Sequence, residues 1–533
     1  YHGIEQLGTP WSDGVPGVSQ KLIPPGGRFV YTFKVQQYGT YWYHSHSAGQ
    51  IMDGMYGPIY IRPRFDAKNL AEIITNDTLE HAQIYSAIKS PSLVILSDWF
   101  HQTSETLRKI SMDADIDVLC ADSILVNGKG RVNCRNPEYL TEMVPTSLKS
   151  VLQGMKYTAK GCLPLPNTYA QTAFQHNFSA VPLSLFDECN MTNSTEEIIT
   201  VNSLNGWASL NFIGSASVST PIGSFVALVY EIDGLYIKPT KVDALTINNG
   251  GRYSCLIKLD KPPSEYLITI ANSRFNQKIA GFASLSYLNG DSSITSTPSI
   301  NYGGISTGRD LISFDESEIE MLTPSPPKVD PDETYILTAG RIQRAWKWSL
   351  NGNASYGLAL EAMKPFLWDP SSAANSHLVI ATKNNTWVDI IFEMSGDIST
   401  LQPSHPLHKH SNRGSGTGTF NWTSVTEASK VSQIQPNAFG GDELIEFSDT
   451  FTTVPAYKGQ SWLAIRYHGL LAALSSRSTL DGRNGIIGLV YLRNMAQVGS
   501  KVSGQVRYSK GERGNNNCGA STFEATWVFS LLG

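Results

Sequence analysis

Imidazole can hold a metal, pass a proton near neutral pH or donate a hydrogen bond, and this chain of 533 residues has only 11 histidines. They are unevenly placed. "SHPLHKHSNRG" (404–414) contains His405, His408 and His410, "GTYWYHSHSAG" (39–49) contains His44 and His46, and "YHGIEQLGTPWSDG" (1–14) contains His2. In an extended strand, residues i and i+2 face the same side. His44 with His46, and His408 with His410, can therefore each aim two imidazoles at one point. One such pair alone reads best as a hydrogen-bonded polar strand edge. Two pairs with a third cluster, in order along one chain, favour a shared site, and neutral imidazole suits copper or zinc.

The elements that must position these rings are mostly strands. "RFVYTFKV", "SLVILSDW", "SFVALVYEIDG", "EYLITIAN", "HLVIATKN", "TWVDIIFEM" and "SWLAIRYH" are β-rich runs set between Gly, Pro, Asn and Asp clusters. Helical patterning is confined to "NLAEIITNDTLEHAQIYSAI" (69–88) and "SETLRKI". So many short strands predict several β-sandwiches or barrels. The Ser/Thr/Pro-rich stretch 289–333 reads as a linker, and a second boundary falls within 64–90. Three pieces result, 1–64, 91–288 and 331–533. The first is shorter than the roughly 100 residues a sandwich needs and starts in mid-motif, so a partial domain truncated at its N-terminus is expected there.

The formal charge of −5, with Lys and Arg interspersed among Asp and Glu, gives no footprint for nucleic acid or an anionic membrane. No apolar run approaches the ~18 residues of a membrane span; "GIIGLVYL" (485–492) has the length of a buried strand. Six cysteines are scattered without a Cys-x-x-Cys, which fits disulfides better than zinc or redox motifs. Seven Asn-X-Ser/Thr sequons start at Asn76, Asn177, Asn190, Asn193, Asn353, Asn384 and Asn421. Together these predict N-glycans at those asparagines and a secreted protein, or one held in the secretory pathway or a vacuole-like compartment.

"YHGIEQLGTPWSDGV", "GTYWYHSHSAGQIMDGMYGPIYI" and "HPLHKHSN…GSGTGTFNWTSVTEA" resemble the first three copper-binding motifs of fungal laccase-type multicopper oxidases. "LSDWFHQTSETL", "CADSILVNGKG" and "VDALTINNGGRYSCLIKL" resemble framework stretches of that family. The resemblance implies an all-β chain of three cupredoxin-like Greek-key β-sandwich domains. A mononuclear type 1 copper would lie in the third and a trinuclear cluster between the first and third. It assigns His405 to the type 1 site and His2, His44, His46, His408 and His410 to the cluster.

The fourth motif, His-Cys-His with a further histidine, should follow "SWLAIRYH" (461–468). Framework survives on both sides, yet no histidine or cysteine lies between Gly469 and Leu492. A blue copper site takes two histidines and a thiolate, so His405 alone cannot build one. The expectation is therefore a copper-deficient relative with no cofactor, its five other cluster histidines forming a vestigial or weak metal set. The expected function is non-redox catalysis on a flat, apolar phenolic or polyketide-type small molecule in secondary metabolism, by dehydration, cyclisation or a Diels–Alder-type cycloaddition through a quinone methide. His405 and the replacement-loop residues Arg477, Asp481 and Arg483 are its candidate catalytic groups. A solvated loop with an Arg–Asp ion pair is the plainer reading of the last three. The alternatives are a dirigent protein that binds reactive intermediates and a residual phenol oxidase with copper or zinc at the old trinuclear position.

Overall fold

A computed structural model describes residues 1–396 apart from short stretches, the longest being 167–173, 291–297, 324–330 and 351–357; beyond 396 it describes 405–410, 414–422, 445–448, 450–453, 459–468, 472–476 and 489–494. The described elements are mostly strands, with few and short helices. The all-β expectation holds.

In the first unit, Gly39–His44 and Tyr56–Ile61 pair antiparallel, with Gly39 opposite Ile61 and His44 opposite Tyr56. The amide of His2 donates to the carbonyl of Trp42 at 2.8 Å, which lays the N-terminal motif along the same strand. The expected strand "RFVYTFKV" differs from its prediction. Phe29, Tyr31 and Phe33 are partly buried while Arg28, Val30, Thr32 and Lys34 are exposed, as in a strand, but the segment joins no ladder. Its alternation is satisfied by packing the aromatic row on Tyr1, whose ring lies 5.2 Å from Tyr31 and 4.9 Å from Phe33.

Residues 69–88 form two helices rather than one, Ala67–Ile74 and Thr78–Lys89. Asp77 divides them, because its side chain caps the second helix by accepting from the Leu79 amide at 2.8 Å. Leu70, Ile84 and Ile88 pack with Trp207, Tyr230, Tyr236 and Leu256, so the helices are docked on the second unit. That unit is a nine-stranded sheet between Ser92 and Tyr287. The third unit has a six-stranded and a five-stranded sheet among its described residues. Two disulfides, Cys120–Cys162 and Cys134–Cys189, staple the second unit. Cys255 is a buried free thiol, pushed up by burial, and Cys518 lies outside the described residues.

The stretch read as a linker is docked where it is described. Asp243 and Ala244 donate backbone bonds to Ile312 at 2.7 and 3.1 Å, Phe314 returns one to Ala244 at 3.1 Å, and Lys238 donates to Glu320 at 2.8 Å. Low periodicity misled here because a strap of this kind borrows its hydrogen bonds from the strand Leu235–Thr246. Half-buried Glu316 anchors it, hydrogen-bonded to the Tyr253 hydroxyl and to Asn248 Nδ2, the latter at 3.1 Å. Burial, with Asp233 and Asp315 nearby, pushes its carboxyl up to about 7.

Two outcomes are expected. A carboxyl raised in the fold is most favourable when protonated, so its contribution is complete below the unfolded value near 4.5 and is lost as pH rises through about 7. Thermal melts of Glu316→Gln should therefore show a smaller loss of Tm between pH 5 and 8, with a difference on the order of 1 kcal/mol given the partial exposure. Equal pH slopes in variant and wild type would count against this role. Separately, Asn76, Asn177, Asn190 and Asn193 are exposed; peptide mapping of secreted material from a eukaryotic host should find them glycosylated, and bare asparagine at all four would refute this.

Candidate metal centre at the histidine cluster

The strand Gly39–His44 carries His44 at one end and is pinned at the other by a buried polar network. The Thr40 amide donates to Glu231 Oε1 at 2.9 Å, Asn211 Nδ2 donates to Thr40 Oγ1 at 2.7 Å, and Arg252 Nε donates to the Thr40 carbonyl at 3.3 Å. Arg252 is fully buried, pairs through Nη1 with Asp233 Oδ1 at 3.0 Å and lies over the Tyr41 ring at 5.6 Å. Burying a guanidinium is costly unless it is paired and hydrogen-bonded, and here both conditions are met. Gly39 sits at φ +109°, where a Cβ would come within 2.6 Å of Glu231 Oε1.

A second set of contacts brings in the third unit. Gly17, at φ +72°, approaches so closely that a Cβ would lie 2.3 Å from the Leu360 carbonyl oxygen. Phe366 and Leu367 donate backbone bonds to Gly17 and Val18 at 3.1 and 2.9 Å, and Trp368 Nε1 donates to the Ser19 carbonyl at 3.1 Å. The strand His405–Lys409 is held on both edges, His408 lying opposite Thr450 and Ser475.

Five imidazoles meet at this seam. His2 and His408 stack with ring centroids 3.5 Å apart, and His2 Nδ1 lies 3.4 Å from His44 Nε2. His44 stacks on His46 at 4.5 Å, His46 meets His410 edge-on at 4.7 Å, and His408 and His410 are 4.8 Å apart. Trp42 stacks on His44 at 4.1 Å. His2, His408 and His410 are buried. Burial first, then the neighbouring His408, Arg252, His44 and His410, drives His2 well below the ordinary histidine range and holds it neutral. Buried Asp13 accepts from or pairs with His410 Nδ1 through Oδ2 at 2.9 Å. Burial alone would raise the Asp13 carboxyl; the charge and hydrogen bond of His410 outweigh it and hold the group below its usual value.

The five histidines grouped by strand spacing are thus neighbours in space. The backbone of His405 begins the strand that carries His408, while its side chain is outside the described residues, as are Arg477, Asp481 and Arg483. Sequence reasoning missed Asp13, Trp42 and Glu361. Asp13 follows the short 3₁₀ turn Pro10–Ser12, and its place in "PWSDG" beside the His2 motif was the available signal. Glu361, whose Oε2 accepts from Ser47 Oγ at 2.6 Å, is 314 residues away from it and left no trace in the sequence.

Comparison with known proteins agrees with this architecture. Two family models described as multicopper oxidase match residues 1–66 and residues 92–173 with 226–290. The chain is 40% identical to laccase abr2 of Aspergillus fumigatus over 478 residues, 88% of this chain and 80% of that protein. It is 36% identical to multicopper oxidase GIP1 of Gibberella zeae, covering 88% and 71%, and 35% identical to laccase-1 of Emericella nidulans, covering 88% and 81%. Among solved structures, Fet3p, described as a multicopper oxidase that functions in iron import, superposes with a TM-score of 0.57 at 16% identity, covering 92% of this chain and 79% of that one. The laccase of Botrytis aclada gives 0.57 at 17%, covering 94% and 78%. The shared fold is that of the cupredoxin-like multicopper oxidases.

Copper of the kinds implied by this likeness does not fit the donors present. Between Cys255 and Cys518 the chain has no cysteine, so the region of the fourth motif offers no thiolate to a blue site. The donors brought together at the seam are mainly imidazoles. Their strongest contact, His2 on His408, presents ring faces to each other at 14°, whereas a metal is held by in-plane nitrogen lone pairs. Among the described residues no group of three or more His, Cys, Asp or Glu side chains is arranged to hold a metal ion. Protein reconstituted with copper should accordingly lack the intense visible band of a copper–thiolate bond. Appearance of that band in an absorption spectrum would show that a cysteine reaches the site from elsewhere in the chain.

Proposed function

The chain belongs to the fungal laccase-type multicopper oxidase family, and we propose that it uses this scaffold as a non-redox catalyst on a flat, apolar phenolic or polyketide-type small molecule. The observation that carries the reading is local. The fourth copper motif is replaced between Gly469 and Leu492, while the histidines of the other motifs remain clustered at the seam. General decay of an unused protein should have eroded those clusters as well.

Laccase turnover needs an electron acceptor at the thiolate-ligated copper and a covalent relay to the cluster. This chain supplies neither residue. The chemistry left to it is acid–base and electrostatic. Arg477 or Arg483 can polarise a carbonyl or stabilise developing oxyanion charge, and Asp481 or His405 can move a proton during loss of water to a quinone methide. Cyclisation or cycloaddition of that intermediate then depends on a pocket that fixes its orientation. The reaction class fits a secreted or vesicular enzyme of secondary metabolism, and the relatives named as multicopper oxidases and laccases support the class of scaffold.

A second reading has one specific observation behind it. Five imidazoles at one seam have the donor chemistry for a single copper or zinc ion, which would make the protein a residual phenol oxidase.

The two readings diverge under chelation. On the non-redox reading, purified protein treated with chelator should retain turnover, and Arg477→Ala, Arg483→Ala and His405→Ala should each lower it by about tenfold or more, roughly 1.4 kcal/mol of transition-state stabilisation apiece. Full activity in all three folded variants would move the site elsewhere; activity restored only by copper would favour the residual oxidase.

A further inference from the structure

Outside the imidazoles themselves, the described residues of the seam include a second carboxylate besides Asp13. Glu361 closes the short helix Leu358–Glu361 of the third unit and is 3% exposed. Its Oε2 accepts from Ser47 Oγ at 2.6 Å, at the short end of the range for O–H···O bonds. Ser47 is the residue after His46, and the loop around them is tied to itself. The Ser45 amide donates to Met55 at 3.0 Å, Ser45 Oγ donates to Gln50 Oε1 at 2.6 Å, the Ser47 amide donates to Ser45 Oγ at 3.1 Å, and the Gln50 amide donates to the Ser47 carbonyl at 3.3 Å. A loop stiffened in this way moves as a piece. Whatever holds Ser47 holds His46.

The carboxylate has little freedom of its own. Leu360, one residue before it, has its carbonyl against Gly17, where even a Cβ would not fit. Phe366 and Leu367 then bond to Gly17 and Val18. The backbone under Glu361 is thereby fixed on the first unit, while His410 belongs to the third and meets His46 at 4.7 Å.

We propose that Glu361 is a positioning residue of the histidine site. Through Ser47 it sets the segment 45–47, and so the angle and distance at which His46 of the first unit faces His410 of the third. The plain alternative is that Glu361 is one more polar anchor of the interface with no particular effect on His46. The two differ in locality.

The proposal rests on the second reading above, in which the five clustered imidazoles form a working site. Its test reports ring geometry whether or not turnover occurs, so the two fail separately. In ¹³Cε1-histidine NMR of the full chain, with His46 and His410 assigned by single substitution, Ser47→Ala and Glu361→Ala should each shift both signals by more than a linewidth. Glu361→Gln, whose amide oxygen still accepts from Ser47, should restore them. His101 and His176, in the second unit, should stay in place. Unchanged His46 and His410 signals in Ser47→Ala would overturn the proposal, and so would equal movement of His101 and His176. Should Glu361→Ala fail to fold, Ser47→Ala and Glu361→Gln decide the matter.

Discussion

The close approach of Gly17 to Leu360 is the constraint on which the arrangement depends. A side chain at residue 17 would collide with a backbone carbonyl 2.3 Å away, so the first and third units meet at that distance only because glycine stands there and tolerates φ +72°. From this contact the backbone bonds of Gly17 and Val18 run to Phe366 and Leu367, Asp13 reaches His410 and Ser47 reaches Glu361. The second unit supplies the opposing anchor, since Arg252, Glu231 and Asn211 hold Thr40 at the start of the strand that ends in His44. Imidazoles from segments some 400 residues apart are stacked because both anchors act on short, stiff elements.

What that stack can do follows from its residue types. Imidazoles packed against one another and beside a carboxylate are suited to hydrogen bonding and proton transfer. One-electron chemistry needs a thiolate-ligated copper in this family, and the chain has no cysteine where that ligand belongs. The fold alone does not decide which reaction the chain carries out.

Much of the molecule was legible in the sequence, for identifiable reasons. Strand runs such as "SLVILSDW" and "EYLITIAN" became strands Ser92–Trp99 and Glu265–Asn272 because short apolar runs of β-branched content act locally. The histidine pairs were legible because i and i+2 share a face regardless of context. "RFVYTFKV" failed as a strand, since alternation places side chains but does not supply a neighbour for the backbone. The strap at 311–316 and 319–322 was invisible for the converse reason: it takes its bonds from another strand and needs no pattern of its own. Ser47–Glu361 and Thr40–Arg252 were beyond reach because each joins residues separated by hundreds of positions. The domain limits at 64, 91, 288 and 331 rest on composition alone.

Dioxygen uptake during turnover of a phenolic substrate in air tests the central claim most directly. An oxygen electrode, read beside the mass of the product, separates the two chemistries at once. A non-redox catalyst gives a product equal in mass to its substrate, or lighter by water, with no dioxygen consumed and the same rate under nitrogen. Dioxygen uptake in proportion to phenol consumed, abolished by chelator and restored by copper, would contradict the account and return the chain to the oxidases.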